Sequence, residues 1–179
     1  FFLAIFFLAL IFAALSSLIS MLELITRIFE VEYVIAGDGS LFPMLQQKVA
    51  ELNLGEVISF TGALSQGEVR QLLQDADIFL MTSVTDPNYG VESQGLVTAE
   101  AQACGLPVVA FDSGGVKYTI ENGRTGFLCK EKDISCMASK IEKLILDDDL
   151  RKRMSKNAVE FVEENFSENA VRKKWRNIY

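Results

Sequence analysis

The stretch Gly90–Ala110 reads GVESQGLVTAEAQACGLPVVA and contains a loop, a helical pattern and an apolar run in that order. Gly95 stands at the predicted start of the helix, and Gly105-Leu106-Pro107 ends it before the apolar run Val108–Phe111. A helix that leads into a short apolar strand is typical of the repeating unit of a parallel α/β sheet. The rest of the chain can be compared with this unit.

The same stretch has the features of a phosphate site. Free backbone N–H groups and the helix dipole both point outward where a loop enters a helix, here at Leu96 and Val97. Glu92 and Glu100 lie on either side of Gly95, and carboxylates accept hydrogen bonds from ribose and sugar hydroxyls. Either glutamate alone would be a solvated surface residue, but the combination predicts a sugar-nucleotide site.

From Val31 onward, apolar runs alternate with helical patterns, which predicts a parallel sheet covered by helices on both faces. Strands are expected at Val31–Ala36, Val57–Phe60, Ile78–Met81, Val108–Phe111 and Phe127–Cys129. Helices are expected from Ser40 to Asn53, Ser65 to Asp75, Gly95 to Cys104, Val116 to Glu121, Asp133 to Leu146 and Asp147 to Glu164, with a last helix after Ser167. Ser40 and Ser167 are expected to cap their helices, and Ser65 with Glu68 is expected to form a capping box.

The predicted fold is therefore α/β, a Rossmann-like parallel sheet flanked by helices, with a helical tail. Ligands of such sheets bind beyond the carboxyl ends of the strands. The loops at Gly37, Gly62, Thr82–Gln94 and Ser113–Gly115 should share one rim.

The first residues leave several alternatives open. Phe1–Leu22 contains no charged residue and is long enough to cross a bilayer as one helix. The alternatives are a buried strand at about Phe1–Phe7 followed by a helix to about Phe29, or a stretch foreign to the fold, such as a misread frame. We divide the chain into an apolar leader, 1–29, and a Rossmann-like ligand-binding domain, 30–179. The absence of an initial Met is typical of a fragment or a processed product.

Composition excludes several classes of function. The formal net charge of the 179 residues is −7, which argues against nucleic acid as the main partner. The chain has no histidine, so Ser–His and Cys–His catalysis and histidine metal sites are excluded. The three cysteines, Cys104, Cys129 and Cys136, have no zinc or disulfide-framework spacing and are expected to be buried free thiols in a reducing cytosol.

The run from Glu92 to Ala110 resembles the signature of the retaining glycosyltransferases of group one (family four), which have the GT-B fold. The resemblance covers about Val31 to Phe166 in order. The further motifs are VIAGDG at Val34–Gly39, FTGALS at Phe60–Ser65, ADIFLMTS at Ala76–Ser83, GGVKYTIENGRTGFL at Gly114–Leu128 and ENFS at Glu164–Ser167.

The resemblance implies that the chain is the C-terminal, donor-binding half of a two-domain hexosyltransferase. By this resemblance Glu92 contacts the transferred sugar and is the catalytic residue, and Glu100 binds the ribose. The backbone of Gln94, Gly95, Leu96 and Val97 would hold the phosphates, and Gly62 and Leu64 would lie against the base. The donor would be a UDP- or GDP-sugar, and neither a cofactor nor a metal would be required; we interpret Asp75-Ala-Asp77 as structural.

The sequence departs from the family pattern in two respects. The family's donor half opens with a strand and a loop whose arginine and lysine bind the pyrophosphate, and Phe1–Leu22 contains neither residue. By the same resemblance, we expect the acceptor-binding N-terminal half to lie outside this stretch of sequence. We therefore expect the isolated chain to bind donor weakly and to transfer little sugar. The alternatives are a non-catalytic sugar-nucleotide-binding module and a membrane-tethered interaction domain. The expected location is cytoplasmic, with peripheral membrane contact as an alternative, and bacterial surface polysaccharide or glycolipid is the acceptor class implied.

Overall fold

The computed structural model describes residues 2–6, 31–39, 41–85 and 93–176. Strands in these ranges are β1 (Phe2–Phe6), β2 (Glu32–Ala36), β3 (Ile58–Gly62), β4 (Ile78–Met81), β5 (Val108–Phe111) and β6 (Gly126–Cys129). The helices are α1 (Phe42–Glu51), α2 (Gln66–Asp75), α3 (Leu96–Ala103), α4 (Ile134–Leu146), α5 (Asp148–Phe166) and α6 (Glu168–Arg176), with a 3-10 turn at Val116–Tyr118.

The described strands form one parallel sheet in the order β3-β2-β1-β4-β5-β6. This is the doubly wound order of a Rossmann-like fold, in which the chain proceeds in opposite directions from a switch point between β1 and β4. The predicted fold class is confirmed, and the carboxyl ends of all the strands face one rim.

Strand β1 lies at the centre of the sheet. Leu3, Ala4 and Ile5 are in register with both β2 and β4. This agrees with the strand alternative for Phe2–Phe6. Residues 7–30 are outside the described ranges, and the boundary between 29 and 30 stays a prediction. None of the helices in the described ranges has the length and apolar character needed to cross a bilayer.

Each face of the sheet has its own apolar core. Ile78 and Leu80 of β4 face the core that α1, α4 and α5 cover, whereas Phe79 and Met81 face the core beneath α2 and α3. Successive strand residues point to opposite faces, so a fully buried strand must be apolar at every position. The uninterrupted apolar runs of β4 and β5 follow from this arrangement.

Some helix boundaries are confirmed and others need correction. Ser65 and Glu68 form the predicted capping box of α2, and Ser167 caps α6 through the amide of Ala170. The predicted cap at Ser40 is wrong, because Leu41 occupies the cap position of α1 and Pro43 fixes the first turn; Ser40 itself is outside the described residues.

Two predicted elements are corrected at their ends. Asp147 precedes α5 and caps the amide of Leu150 at 2.8 Å, so the helix proper starts at Asp148. The helix predicted over Val116–Glu121 is only a 3-10 turn, Val116–Tyr118. The Thr119 hydroxyl donates a hydrogen bond to the Val116 carbonyl at 2.8 Å, directly after this turn.

The cysteine prediction is wrong for two of the three residues, all of which lie in the described ranges. Cys129 ends β6 and Cys136 lies in the first turn of α4, and the structure joins them in a disulfide. The short β6–α4 connection brings their Cα atoms to 5.9 Å, a distance that the sequence spacing did not indicate. Cys104 is free and partly buried, and burial raises the pKa of its thiol.

This pairing predicts a thiol count. Protein purified without reductant and then denatured should react with about one equivalent of a thiol reagent, because only Cys104 is free, and with about three after reduction. The variant Cys136→Ser should give about two equivalents before reduction. Three equivalents from the unreduced parent chain would show that Cys129 and Cys136 are not paired.

Candidate functional site

The N-terminus of α3 lies at the carboxyl end of β4, beside the switch point of the sheet. Gly95 precedes the helix with φ at +64°, in the left-handed region that favours glycine. A Cβ at this position would meet the Cα of Val116 at 3.1 Å. Gly95 has no side chain, so the cap residue itself does not cover the first amides of the helix, those of Leu96 and Val97.

A second close backbone approach fixes the loop before α3. A Cβ on Gly115 would lie 2.2 Å from the carbonyl oxygen of Ser93 and 2.8 Å from the Cα of Gln94. The loop after β5 therefore packs directly on the residues that lead into α3. The two loops were predicted to share one rim, and the structure confirms this for Ser93–Gln94 and Gly114–Gly115.

A buried polar network supports the first turn of α3. The Thr98 hydroxyl contacts the Gly95 carbonyl at 2.6 Å and also the Thr119 hydroxyl. The Gln102 side-chain amide donates to the carbonyls of Thr98 at 3.1 Å and Thr119 at 2.6 Å. These side chains are buried, so their hydrogen bonds are shielded from water and hold the helix to the turn after Gly115.

The predicted binding residues of α3 share one region. Gln94 and Leu96 are exposed beside Gly95, and Val97 is half-buried. Glu100 is exposed one helical turn after Leu96, on the same face, so its carboxylate is accessible from the rim. Glu92, the predicted catalytic residue, is outside the described residues, and its position relative to Glu100 stays a prediction.

The other predicted binding residues follow β3. Gly62 was predicted to lie in the loop, but it is the last residue of the strand, with φ at +68°, and its carbonyl accepts the Gly37 amide at 2.9 Å. Gly62 and Leu64 are half-buried. Strands β2 and β1 separate β3 from β4, which places β3 about 14 Å from β4, the strand that precedes α3, at ordinary strand spacing. A ligand that reached both would have to be extended.

Glu131 is a rim residue that the sequence did not indicate. Its carboxylate accepts the Thr85 hydroxyl at 2.7 Å and the Thr85 amide at 3.1 Å, which joins the connection after β6 to the one after β4. Burial opposes ionisation of Glu131, but these two bonds, the nearby Ser113 hydroxyl and Lys132 together lower its pKa. A pocket of about 500 Å³ lies alongside and is lined by Asp112, Asn122, Leu128, Cys129, Lys130 and Glu131.

The two aspartates that were interpreted as structural contact protein groups. The Gln71 side-chain amide donates to the Asp75 carboxylate at 3.0 Å. Asp77 lies 3.9 Å from the Arg151 guanidinium, which also pairs with Asp148. No group of three or more metal-binding side chains occurs in the ranges that the structure describes. That no metal is required stays a prediction.

Comparison with known proteins places this site in context. The family model described as "Glycosyl transferases group 1" matches residues 13–161. The N-acetyl-alpha-D-glucosaminyl L-malate synthase of Bacillus anthracis is 31% identical over 157 residues, which are 88% of this chain and 39% of that protein. The D-inositol 3-phosphate glycosyltransferase of Corynebacterium jeikeium is 38% identical over 120 residues, 67% of this chain and 27% of that protein.

Solved structures give the same fold. The Anabaena protein HepE in complex with UDP superposes with a TM-score of 0.85 at 25% identity, and the match covers 99% of this chain and 48% of that one. The described domain therefore matches the C-terminal Rossmann-like domain of a GT-B protein. The chain spans less than half of these relatives.

Proposed function

Because the chain belongs to the glycosyl transferases of group 1, we propose that it is the donor-binding half of a retaining family-four enzyme that moves a sugar from a nucleotide to an acceptor. One observation carries the proposal: the N-terminus of α3, which has a glycine at its cap position and lies beside the switch point of the sheet. Phosphate binds at such termini, and nucleotides bind in such crevices.

The donor is held at three points in this proposal. The amides of Leu96 and Val97, with Gln94 and Gly95, bind the diphosphate, and the Glu100 carboxylate accepts hydrogen bonds from the ribose diol. Gly62 and Leu64 lie against the base. A UDP-sugar or GDP-sugar is extended enough to reach across this rim. The UDP complex of HepE, which has the same fold, supports a uridine nucleotide as the first probe.

Glu92 acts on the sugar in this proposal. Its carboxylate binds the transferred sugar and stabilises positive charge that develops at the anomeric carbon. The leaving phosphate assists the acceptor hydroxyl on the same face, so the configuration is retained and neither a histidine base nor a metal is needed. The amides of α3 stabilise the charge that grows on the leaving diphosphate.

The activity also needs an acceptor-binding partner domain. The chain spans 39% of the Bacillus relative, which leaves room there for a second domain. We propose that the isolated chain transfers little sugar and that the reaction belongs to cytoplasmic polysaccharide or glycolipid synthesis. Peripheral membrane contact through the apolar leader is the accompanying alternative.

The proposal is tested by titrating the chain with UDP-glucose, UDP-N-acetylglucosamine and GDP-mannose in a calorimeter. Saturable binding of one donor is expected, and UDP or GDP should compete for the same site. Transfer is then measured with the acceptor half supplied, and the anomeric configuration of the product is read by NMR. An inverted product would contradict retention, and failure of all nucleotides to bind would contradict the donor site.

Glu100→Gln is expected to weaken UDP binding about tenfold to thirtyfold, because a neutral amide is a poorer acceptor for the ribose diol than a carboxylate. Calorimetric titration with UDP measures the change. The matched control is Glu142→Gln, an exposed glutamate of α4 on the opposite sheet face, which should leave the affinity unchanged. Equal affinity of Glu100→Gln and the parent chain for UDP would show that Glu100 does not bind the ribose.

A non-catalytic sugar-nucleotide-binding module is the second candidate. The lack of arginine and lysine in Phe1–Leu22 favours it, because the family uses this basic pair to hold the pyrophosphate. Donor binding without transfer, even with the acceptor half present, would identify this second function.

A further inference from the structure

Thr119 is a buried residue that directly follows the 3-10 turn Val116–Tyr118, in the connection after β5. Only 2% of its surface is exposed, so it does not touch a ligand at the rim. Its polar atoms nevertheless contact two side chains of α3, which lie 21 and 17 positions earlier in the chain. An effect of Thr119 on binding must therefore pass through α3.

The hydroxyl of Thr119 makes the first contact with α3. It contacts the Thr98 hydroxyl, which in turn binds the Gly95 carbonyl at 2.6 Å. It also lies 3.4 Å from the position that a Cβ of Gly95 would occupy. Gly95 is the cap residue of α3, so these contacts lead directly to the residue that precedes Leu96.

The two threonine hydroxyls make more contacts than they have protons. The Thr98 hydroxyl contacts the Gly95 carbonyl. The Thr119 hydroxyl contacts the Val116 carbonyl at 2.8 Å, and the two hydroxyl oxygens also contact each other. Each hydroxyl has one proton, so two protons are shared among three contacts. Removal of either hydroxyl therefore changes the hydrogen bonds of the other, and the pair acts as one unit.

The backbone carbonyl of Thr119 makes the second contact with α3. It accepts the Gln102 side-chain amide at 2.6 Å, and the same amide donates to the Thr98 carbonyl at 3.1 Å. The side-chain oxygen of Gln102 is buried and has no hydrogen-bond partner in the described part of the chain. Because a buried acceptor without a partner costs stability, an apolar side chain would suit this position better if packing were its only task. The Gln102 amide instead joins α3 to the turn.

The same turn contacts the backbone before α3 at its other end. A Cβ on Gly115 would lie 2.2 Å from the Ser93 carbonyl oxygen, so Gly115 packs directly on the residues that lead into the helix. Thr119 contacts the helix after Gly95, and Gly115 contacts the chain before it. The turn therefore meets the N-terminus of α3 on both sides of its cap residue.

We propose that Thr119 is a positioning residue for donor binding: its hydroxyl and its carbonyl hold the first turn of α3 and so set the direction of the first amides of the helix. These are the amides of Leu96 and Val97, which bind the diphosphate in the proposed function. The inference rests on that function for its ligand and on the hydrogen bonds above for its geometry. Without the Thr119 hydroxyl, part of the binding free energy of a diphosphate would be used to order this turn.

The test uses the whole chain and UDP as the probe. Thr119→Val keeps the shape of the side chain and removes its hydroxyl, and it should weaken UDP binding about fivefold, the effect of one hydrogen bond. Thr98→Val should weaken binding at least as much, because the Thr98 hydroxyl also binds the Gly95 carbonyl. The double variant should be no weaker than Thr98→Val alone, because both changes break the same contact. Thr119→Ser, which retains the hydroxyl, should bind UDP as tightly as the parent chain.

Thr125→Val is the matched control and separates positioning from general destabilisation. Thr125 is also fully buried, and its hydroxyl accepts the Glu121 amide at 3.0 Å, directly before the amino end of β6 and away from the rim. This change should lower the free energy of unfolding in urea melts about as much as Thr119→Val does, but it should leave UDP affinity unchanged.

Four results would overturn the proposal. They are unchanged UDP affinity in Thr119→Val, an equal loss of affinity in Thr125→Val, additive losses in the double variant, and a Thr119→Ser variant as weak as Thr119→Val. If Thr119→Val did not fold, Thr98→Val would test the same contact from the side of the helix.

Hydrogen exchange without any nucleotide distinguishes this proposal from the proposed function. The Thr98 amide, which donates to the Gly95 carbonyl at 3.0 Å, should exchange about fivefold faster in Thr119→Val than in the parent chain, because the first turn of α3 opens more often. The amides of α2 should not change. If the parent chain bound no nucleotide but showed this difference, the proposed function would fail and the holding of α3 by Thr119 would stand. Equal exchange in the two chains would overturn the positioning role whatever the chain binds.

Discussion

Gly115→Ala is expected to lower the affinity of the chain for UDP by about 100-fold, because a displacement of about 1 Å at a site that depends on orientation can have that effect. The added Cβ would lie 2.2 Å from the Ser93 carbonyl oxygen and 2.8 Å from the Gln94 Cα. Both neighbours are backbone atoms and cannot rotate away. The loop before α3 must move, and with it the amides that are proposed to bind phosphate.

The same substitution should lower the free energy of unfolding by about 1–3 kcal/mol, the usual range for an overpacked site. Calorimetry with UDP and urea melts measure the two effects separately. Gly115 has φ at −79°, so alanine introduces no backbone strain there and the effect is purely steric.

Gly67→Ala is the matched control for Gly115→Ala. Gly67 lies in the first turn of α2, and nothing lies within 4 Å of its ideal Cβ. Alanine there should raise the free energy of unfolding by about 0.4–1 kcal/mol by restricting the unfolded chain, and UDP binding should not change. If Gly115→Ala left UDP affinity unchanged and raised the free energy of unfolding, as expected for Gly67→Ala, this result would contradict the close packing of the two rim loops.

Glu92→Gln is expected to reduce kcat for sugar transfer about 100-fold to 1000-fold when the acceptor half is supplied. A neutral amide cannot stabilise the positive charge that develops at the anomeric carbon. Affinity for UDP, which lacks the sugar, should stay within about twofold of that of the parent chain, because the proposed contact of Glu92 is with the sugar alone.

Rates of product formation and UDP titrations on the same preparation check the Glu92 prediction. Glu163→Gln, an exposed glutamate on α5, is the control and should match the parent chain in both measurements. A Glu92→Gln enzyme with normal kcat would show that the resemblance assigns the wrong glutamate. Loss of UDP affinity would show that Glu92 contacts the nucleotide rather than the sugar.

The features that the sequence predicted well are those with local signals. The helix after Gly95 was expected because a glycine, a helical pattern and Gly105-Leu106-Pro107 follow one another, and α3 spans Leu96–Ala103. The capping box of Ser65 and Glu68 depends on two residues three positions apart. Buried strands such as β4 were visible as apolar runs because both faces of a parallel sheet are covered.

The features that the sequence did not indicate depend on distant contacts. Thr85 and Glu131 are ordinary polar loop residues until the sheet brings together the carboxyl ends of β4 and β6. The disulfide requires the geometry of the short β6–α4 connection. The close approach of Gly115 to Ser93 is likewise a property of two packed loops, and neither glycine spacing nor composition measures it.

The central position of β1 has a consequence for synthesis on the ribosome. Translation produces Phe2–Phe6 before either of the strands that flank it in the finished sheet. Glu32–Ala36 emerges later, and Ile78–Met81 later still, so one edge of the nascent strand lacks a partner until about half of this sequence has been made. Unpaired apolar strands are prone to aggregate. We expect protection by chaperones to matter most during that interval.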